Sequence, residues 1–338
     1  MKRISFWHTF LTAGLILLPL APGFLPDFEP CAEPAQGGID PEKLHSIIPR
    51  DAKPVLVIDG TGDNPALTFT EGPTWMNGSL YFSNIHWKAK RGTPGLHVLR
   101  PDGSCIPLNG EVMTEGSMPL PNGNLVVCDM GGRRVIEMTP LGGIVRTLAD
   151  SCEGLPIGAP NDLITDMKGG IYFTQPDRTH EAGNAVYYIR PDGTVVRVTG
   201  RNEFTNPNGC VLSGDGSLFF LGDYSETTIH VFDVGADGTL SNKRLFANVL
   251  LPEGGVTVTK RPMSNADGMT IDRKGNIYIA TRMGIQVFDS SGALIGVIVF
   301  PKQPAHCVFG GEDISVLYAL CEDQIYTIQT TMQGLRYP

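Results

Sequence analysis

The chain has 338 residues, of which 41 are glycine and 26 proline, with 18% charged residues and a formal net charge of −9. That length supports a large buried core, and an acidic chain without a Lys/Arg-rich block argues against nucleic acid as a partner. Its seven cysteines include no CxxC pair, which excludes zinc–thiolate spacing.

Residues 1–23 read as a secretory signal. Lys2 and Arg3 open it, an apolar run extends from Phe10 to Leu20, and Ala21-Pro22-Gly23 offers small residues for cleavage. The run is too short, and too interrupted by Pro19 and Pro22, to match the roughly 20 residues that a spanning helix needs. The expectation is an exported protein, periplasmic or extracellular, with no transmembrane span after processing; an uncleaved anchor is the alternative. Residues 24–50 read as a linker. Most cysteines are expected as buried free thiols, with one disulfide as an alternative after export.

From residue 54 onward the pattern is strand and turn. PVLVIDG at 54–60 is a lone apolar strand. Six segments then follow that each read as a turn and an apolar strand: NGSLYFSN, NGNLVVCD, KGGIYFTQ, DGSLFFLG, KGNIYIAT and EDISVLYALC. Their turn glycines fall at 78, 123, 169, 216 and 275, so successive spacings are 45, 46, 47 and 59 residues, with the sixth unit about 40 residues later. The longer gap holds an insertion near 249–265. Each unit continues into an alternating strand such as GLHVLRP or AVYYIRP, an Asp-Gly or similar tight turn, and a closing strand. A four-stranded repeat of about 45 residues is a propeller blade. The fold expected is all-β, a six-bladed β-propeller over residues 51–330. The last unit shows three strands, so the strand at about 54–60 is expected to complete it and close the ring. Residues 331–338 remain as a C-terminal tail.

A second repeat lies inside the first. Glu71, Asn161, Asn208 and Asp267 precede their turn glycines by 7, 8, 8 and 8 residues. Equal offsets in repeated units place side chains at equivalent points around an axis. Two carboxylates and two amides converging there make a hard-oxygen site for a divalent cation. Calcium is the expected ion, with magnesium, manganese or zinc as alternatives. Glu115 keeps the eight-residue offset before Gly123, and His306 lies eight residues before Ile314. Trp75 reads as core and not as a platform for a sugar ring.

The strings EGPTW at 71–75, PND at 160–162, PNG at 207–209 and DGM at 267–269 resemble the senescence marker protein/regucalcin–gluconolactonase family of six-bladed propellers. GGRRV at 131–135 and CVFGG at 307–311 support the resemblance, which covers about residues 54–330. It implies that Glu71, Asn161, Asn208 and Asp267 hold the cation, and that the activity is hydrolysis of a sugar lactone. In that chemistry the cation polarises the carbonyl and a carboxylate takes a proton from water. Asp267 is the first choice of base and Asp223, in LGDYSE, the second. Candidate substrate contacts are His306, Glu115, Arg133, Asp177 and Arg282. The chain departs from the family pattern at Met130, where a histidine is common, and at His306, where an asparagine is common. The alternative functions are a related metal-dependent esterase or phosphotriesterase, and a non-catalytic, calcium-stabilised propeller that binds a sugar or protein ligand. No oligomeric state is expected from the sequence.

Overall fold

The computed structural model describes residues 41–86, 91–176, 181–252 and 263–337. The signal-like stretch 1–23, Cys31, Asp177 and most of the insertion after Leu250 lie outside them.

The described residues form six four-stranded antiparallel sheets, with one further two-stranded ribbon at Ser151–Cys152 and Leu155–Pro156. Blade one starts at Thr70–Met76 and blade two at Thr114–Pro119. Blade three starts at Leu163–Thr165, blade four at Pro207–Leu212, blade five at Met269–Ile271 and blade six at His306–Gly310. Within blades one to five the strands follow chain order outward from these first strands, and in blade six the outermost strand is Val55–Asp59. The first strands of successive blades pack on each other, and the sixth packs on the first, so the sheets close a ring round a central channel.

The reason this sequence folds in units is local. Asp102, Asp192, Asp237 and Asp289 each accept the backbone N–H two residues on, which pins the turn between the third and fourth strands. The second strands, such as Leu125–Asp129, Ile171–Gln175 and Ile277–Thr281, are buried along their whole length. They lie between neighbouring blades, and sheets packed on both faces favour continuous apolar runs over alternation. Outer strands such as Ile144–Ala149 alternate poorly and are mostly exposed.

Ring closure follows the expectation. Val55–Asp59 pairs antiparallel with Gln324–Gln329, bringing Ile58 opposite Ile325. The Gly60 N–H donates to the Asp323 carbonyl at 2.8 Å, and Thr70 N–H to Glu322 at 2.6 Å, tying both chain ends to one sheet. The stretch 41–50, expected as linker, is instead packed. It carries a short helix, Pro41–His45, and buries Ile47 and Ile48 against the fifth and sixth blades. The tail also packs: Gly334 bridges Asp272, and Thr331 N–H donates to the Ile47 carbonyl at 2.7 Å. All six cysteines among the described residues are free thiols.

Ile58 is 5% exposed in the cluster with Leu80, Phe82 and Leu320, whereas Val57 on the same strand is 38% exposed. Ile58→Ala is expected to cost about 2–5 kcal/mol in denaturant unfolding, and Val57→Ala about 0.5 kcal/mol or less. Equal effects would mean that the strand does not seal the ring.

Candidate active site

Every first strand enters its blade through the same irregularity. In blade three, Asn161 N–H donates to the Thr174 carbonyl while Thr174 N–H donates to Asp162, both at 2.9 Å, so two residues oppose one. Blade five repeats this with Asp267 and Gly268 opposite Ala280, and blade six with Ala305 and His306 opposite Leu320. In blades one, two and four the ladder shifts between Glu71 and Thr74, between Thr114 and Ser117, and between Pro207 and Cys210. A bulge of this kind re-aims the side chain at its first position. Six bulges round one axis therefore make an upper ring of Glu71, Glu115, Asn161, Asn208, Asp267 and Ala305. The residues after them make a lower ring of Gly72, Gly116, Asp162, Gly209, Gly268 and His306.

The lower ring touches the next blade directly. Gly116 N–H donates to the Asn161 carbonyl at 2.8 Å, and Gly268 N–H to Ala305 at 2.9 Å. A Cβ on Gly72 would lie 2.0 Å from the Glu115 carbonyl oxygen, and one on Gly209 would lie 2.1 Å from that of Asp267. Glycine is required there because nothing larger fits.

This register corrects one expectation. The eight-residue count places His306 in the upper ring, but Ala305 stands there. The sixth hairpin pairs five residues, His306 to Gly310, where the fifth pairs four, Gly268 to Ile271. The extra pair moves the turn one residue later and makes the count miss by one.

His306 and Asp162 are the two lower-ring side chains, and they come from opposite blades. His306 Nε2 lies 3.5 Å from Asp162 Oδ1 across the channel, with both residues buried. Asp162 also accepts N–H groups from Leu163 at 2.9 Å and Cys210 at 3.0 Å. Burial opposes charge on His306, but Asp162 and then Glu71 outweigh it and hold the imidazole up at about 9. Sequence reasoning passed over Asp162. The available signal was PND in place of PNG, a side chain at a position where four of six blades have glycine.

Above this pair the upper ring concentrates carboxylates. Burial pushes Glu71 up to about 7, His306 and the Gly72 N–H pulling it back and Asp162 pushing it further. Burial, Glu71, Asp267 and Asp162 drive Glu115 well above the usual carboxylate range. Burial, Glu71 and Asp162 do the same to Asp267, against a hydrogen bond with Asn208. The Asn161 side-chain amide makes no hydrogen bond among the described residues. Among those residues, no three His, Cys, Asp or Glu side chains are gathered tightly enough to hold an ion alone. Any cation here would need the amides, and the donor set of Glu71, Asp267, Asn161 and Asn208 suits a hard divalent ion such as calcium.

The other sequence candidates separate. Both Asp223 oxygens are taken up by the backbone N–H groups of Thr205, Asn206 and Ser225 at 2.7–3.0 Å, so this residue fastens a loop. Arg133 is exposed on the Met130–Arg133 turn at a positive φ of 52°. Arg282 does come near the site. The phenol of Tyr224, another residue missed from sequence, is raised by burial and then by Asp267, with Arg282 opposing, so the three lie within electrostatic reach. Trp75 stacks on Tyr318 with ring centroids 5.3 Å apart, a packing role. A cavity of about 770 Å³ is lined by first-hairpin turns and the C-terminal tail, and so opens at the opposite end of the channel from the ring.

Two outcomes follow. His306→Ala leaves Asp162 buried without its partner and is expected to destabilise by about 3 kcal/mol in urea unfolding. In chelator, the folded state holds protons on Glu71 (ordinary value 4.5, here about 7) and His306 (6.5, here about 9) that the unfolded chain has released. Stability is therefore expected to fall from pH 5 to pH 9, read as a declining Tm. A rise in Tm over that interval would contradict the buried cluster.

The family model described as SMP-30/Gluconolactonase/LRE-like region matches residues 69–321. A gluconolactonase of Zymomonas mobilis is 27% identical over 292 residues, covering 79% of this chain and 80% of the relative. Lactonase drp35 of Staphylococcus saprophyticus is 26% identical over 191 residues, 53% of this chain and 54% of the relative. Among solved structures, a gluconolactonase from Xanthomonas campestris superposes with a TM-score of 0.72 at 24% identity, over 89% of this chain and 99% of that one. A calcium-binding regucalcin of Agrobacterium tumefaciens superposes with a TM-score of 0.65 at 17% identity, over 80% and 93%. At these identities the structures establish the fold alone.

Proposed function

The chain belongs to the SMP-30/gluconolactonase/LRE-like family, and on that premise we propose that it hydrolyses a sugar lactone with a divalent cation, calcium by preference. The observation that carries the reading is the upper ring. Five of its six positions hold oxygen side chains, brought there by six equivalent bulges. The 27% identity to a gluconolactonase over four-fifths of that protein supports the same substrate class.

Glu71, Asn161, Asn208 and Asp267 would hold the cation. When bound, it supplies positive charge that polarises an ester carbonyl and offsets the developing oxyanion. The remaining chemistry belongs to the chain. Asp267 takes the proton from the attacking water; burial, Glu71 and Asp162 raise its affinity for a proton, and the positive charge of a bound cation would draw that affinity back down. The Asn208 side chain hydrogen-bonds Asp267 and orients it. Arg282, within electrostatic reach of Tyr224, is the contact proposed for an anionic or polar end of the substrate. Burial of the ring side chains keeps bulk water away from these charges. The start at residues 1–23 supports export as part of the same proposal. Among the described residues, no helix is long and apolar enough to cross a membrane.

Purified protein is expected to hydrolyse glucono-δ-lactone, to lose that activity in chelator and to regain it with added calcium. Asp267→Asn is expected to lower kcat about 100-fold or more. Equal rates with and without chelator would remove the metal from the reading. No turnover by the wild type would remove the lactonase.

A further inference from the structure

Glu115 stands apart from the other carboxyl groups at the axis. It occupies the blade-two position of the upper ring and is 2% exposed. Its backbone is committed: the carbonyl accepts the Ser83 hydroxyl at 2.6 Å. Its carboxyl group accepts no hydrogen bond from any described residue. The neighbours differ in this respect. Glu71 takes the Gly72 N–H at 2.7 Å, Asp267 is hydrogen-bonded by Asn208, and Asp162 takes two N–H groups and faces His306.

Neither of its oxygens is among the sealed, partnerless polar atoms of the described residues, so the carboxyl group opens on the channel and takes its hydrogen bonds from what enters there, water or a ligand. The charged groups acting on Glu115 are Glu71, Asp267 and Asp162, from blades one, five and three, so its head lies at the axis and not between blades. It faces carboxylates and no fixed N–H or O–H donor. What it lacks is therefore hydrogen-bond donors, and it has room for two. A pair of neighbouring hydroxyl groups on a polyol supplies them, one to each oxygen. A bare hydrocarbon ring supplies none.

We propose that Glu115 is the specificity residue of this site and recognises substrate hydroxyl groups, so that polyhydroxylated lactones are selected over unsubstituted ones. This deepens the lactonase reading and rests on it. The role is distinct from holding the cation, since the amide and carboxylate set does not require Glu115. It is also distinct from proton transfer, which Asp267 performs.

The test compares glucono-δ-lactone with δ-valerolactone, which has the same ring and no hydroxyl groups. The wild type is expected to favour the hydroxylated lactone in kcat/KM, and Glu115→Ala to reduce that preference about tenfold or more, chiefly through KM. Glu115→Gln keeps the shape and one acceptor, and is expected to fall between the two. Its melting curve controls for folding should the alanine variant prove unstable. A wild type without preference, or variants that lower both lactones by the same factor, would overturn the assignment. If the wild type hydrolyses neither lactone, the proposed function fails, and calorimetric titration with D-gluconate at matched calcium then judges Glu115 alone. Binding to wild type that weakens about tenfold in Glu115→Ala upholds its role in hydroxyl recognition. Equal binding, or none, ends it.

Discussion

The innermost strands approach one another so closely at the axis that four residues of the lower ring have no space for a Cβ. At Gly72 and Gly209 such an atom would sit about 2 Å from a carbonyl oxygen of the next blade. That contact links neighbouring blades, and it sets the diameter of the channel. Every functional distance at the site follows from it. The upper ring stands next to these close contacts, and its buried carboxyl groups lie within electrostatic reach of one another.

Where the glycine rule is broken, it is broken twice and on opposite sides. Asp162 and His306 occupy the room that the other four positions leave empty, and they meet at 3.5 Å. A single such side chain would be a buried charge without a partner, which is costly. Two of opposite sign complete each other, and Asp162 spends its remaining capacity on N–H groups of its own blade and the next. The pair therefore ties blade three to blade six through the channel, while the closing strand ties the ends of the chain through one sheet. These two ties act on different parts of the ring. Between them they hold a cluster of carboxyl groups whose mutual repulsion and burial would otherwise favour opening.

Much of this was legible in the residues. The spacing of turn glycines announces six blades, because a blade needs its tight turns at fixed places. The missing fourth strand of the last unit announces closure at Val55–Asp59. The equal offsets of Glu71, Asn161, Asn208 and Asp267 announce a ring, since repeated units carry repeated positions to one axis. Counting from a turn fails where strand length changes. Blade six has one extra residue pair, so His306 moves one level down and Ala305 takes its place. Asp223 stood as the second choice of base, and its three N–H partners make it a loop fastener instead. Residues 41–50 lack the repeat, so their polar and apolar mixture read as linker although Ile47 and Ile48 are buried.

The sequence by itself determined the number of sheets, the closing strand and the family, because each depends on local turns and on strings of adjacent residues. Only the tertiary structure decided which side chains share a level of the channel, that Asp162 meets His306, and that Glu115 is left without a donor. Those facts depend on contacts between residues as far apart as 162 and 306. Such contacts exist only once six sheets have closed, and no pattern within a single blade encodes them.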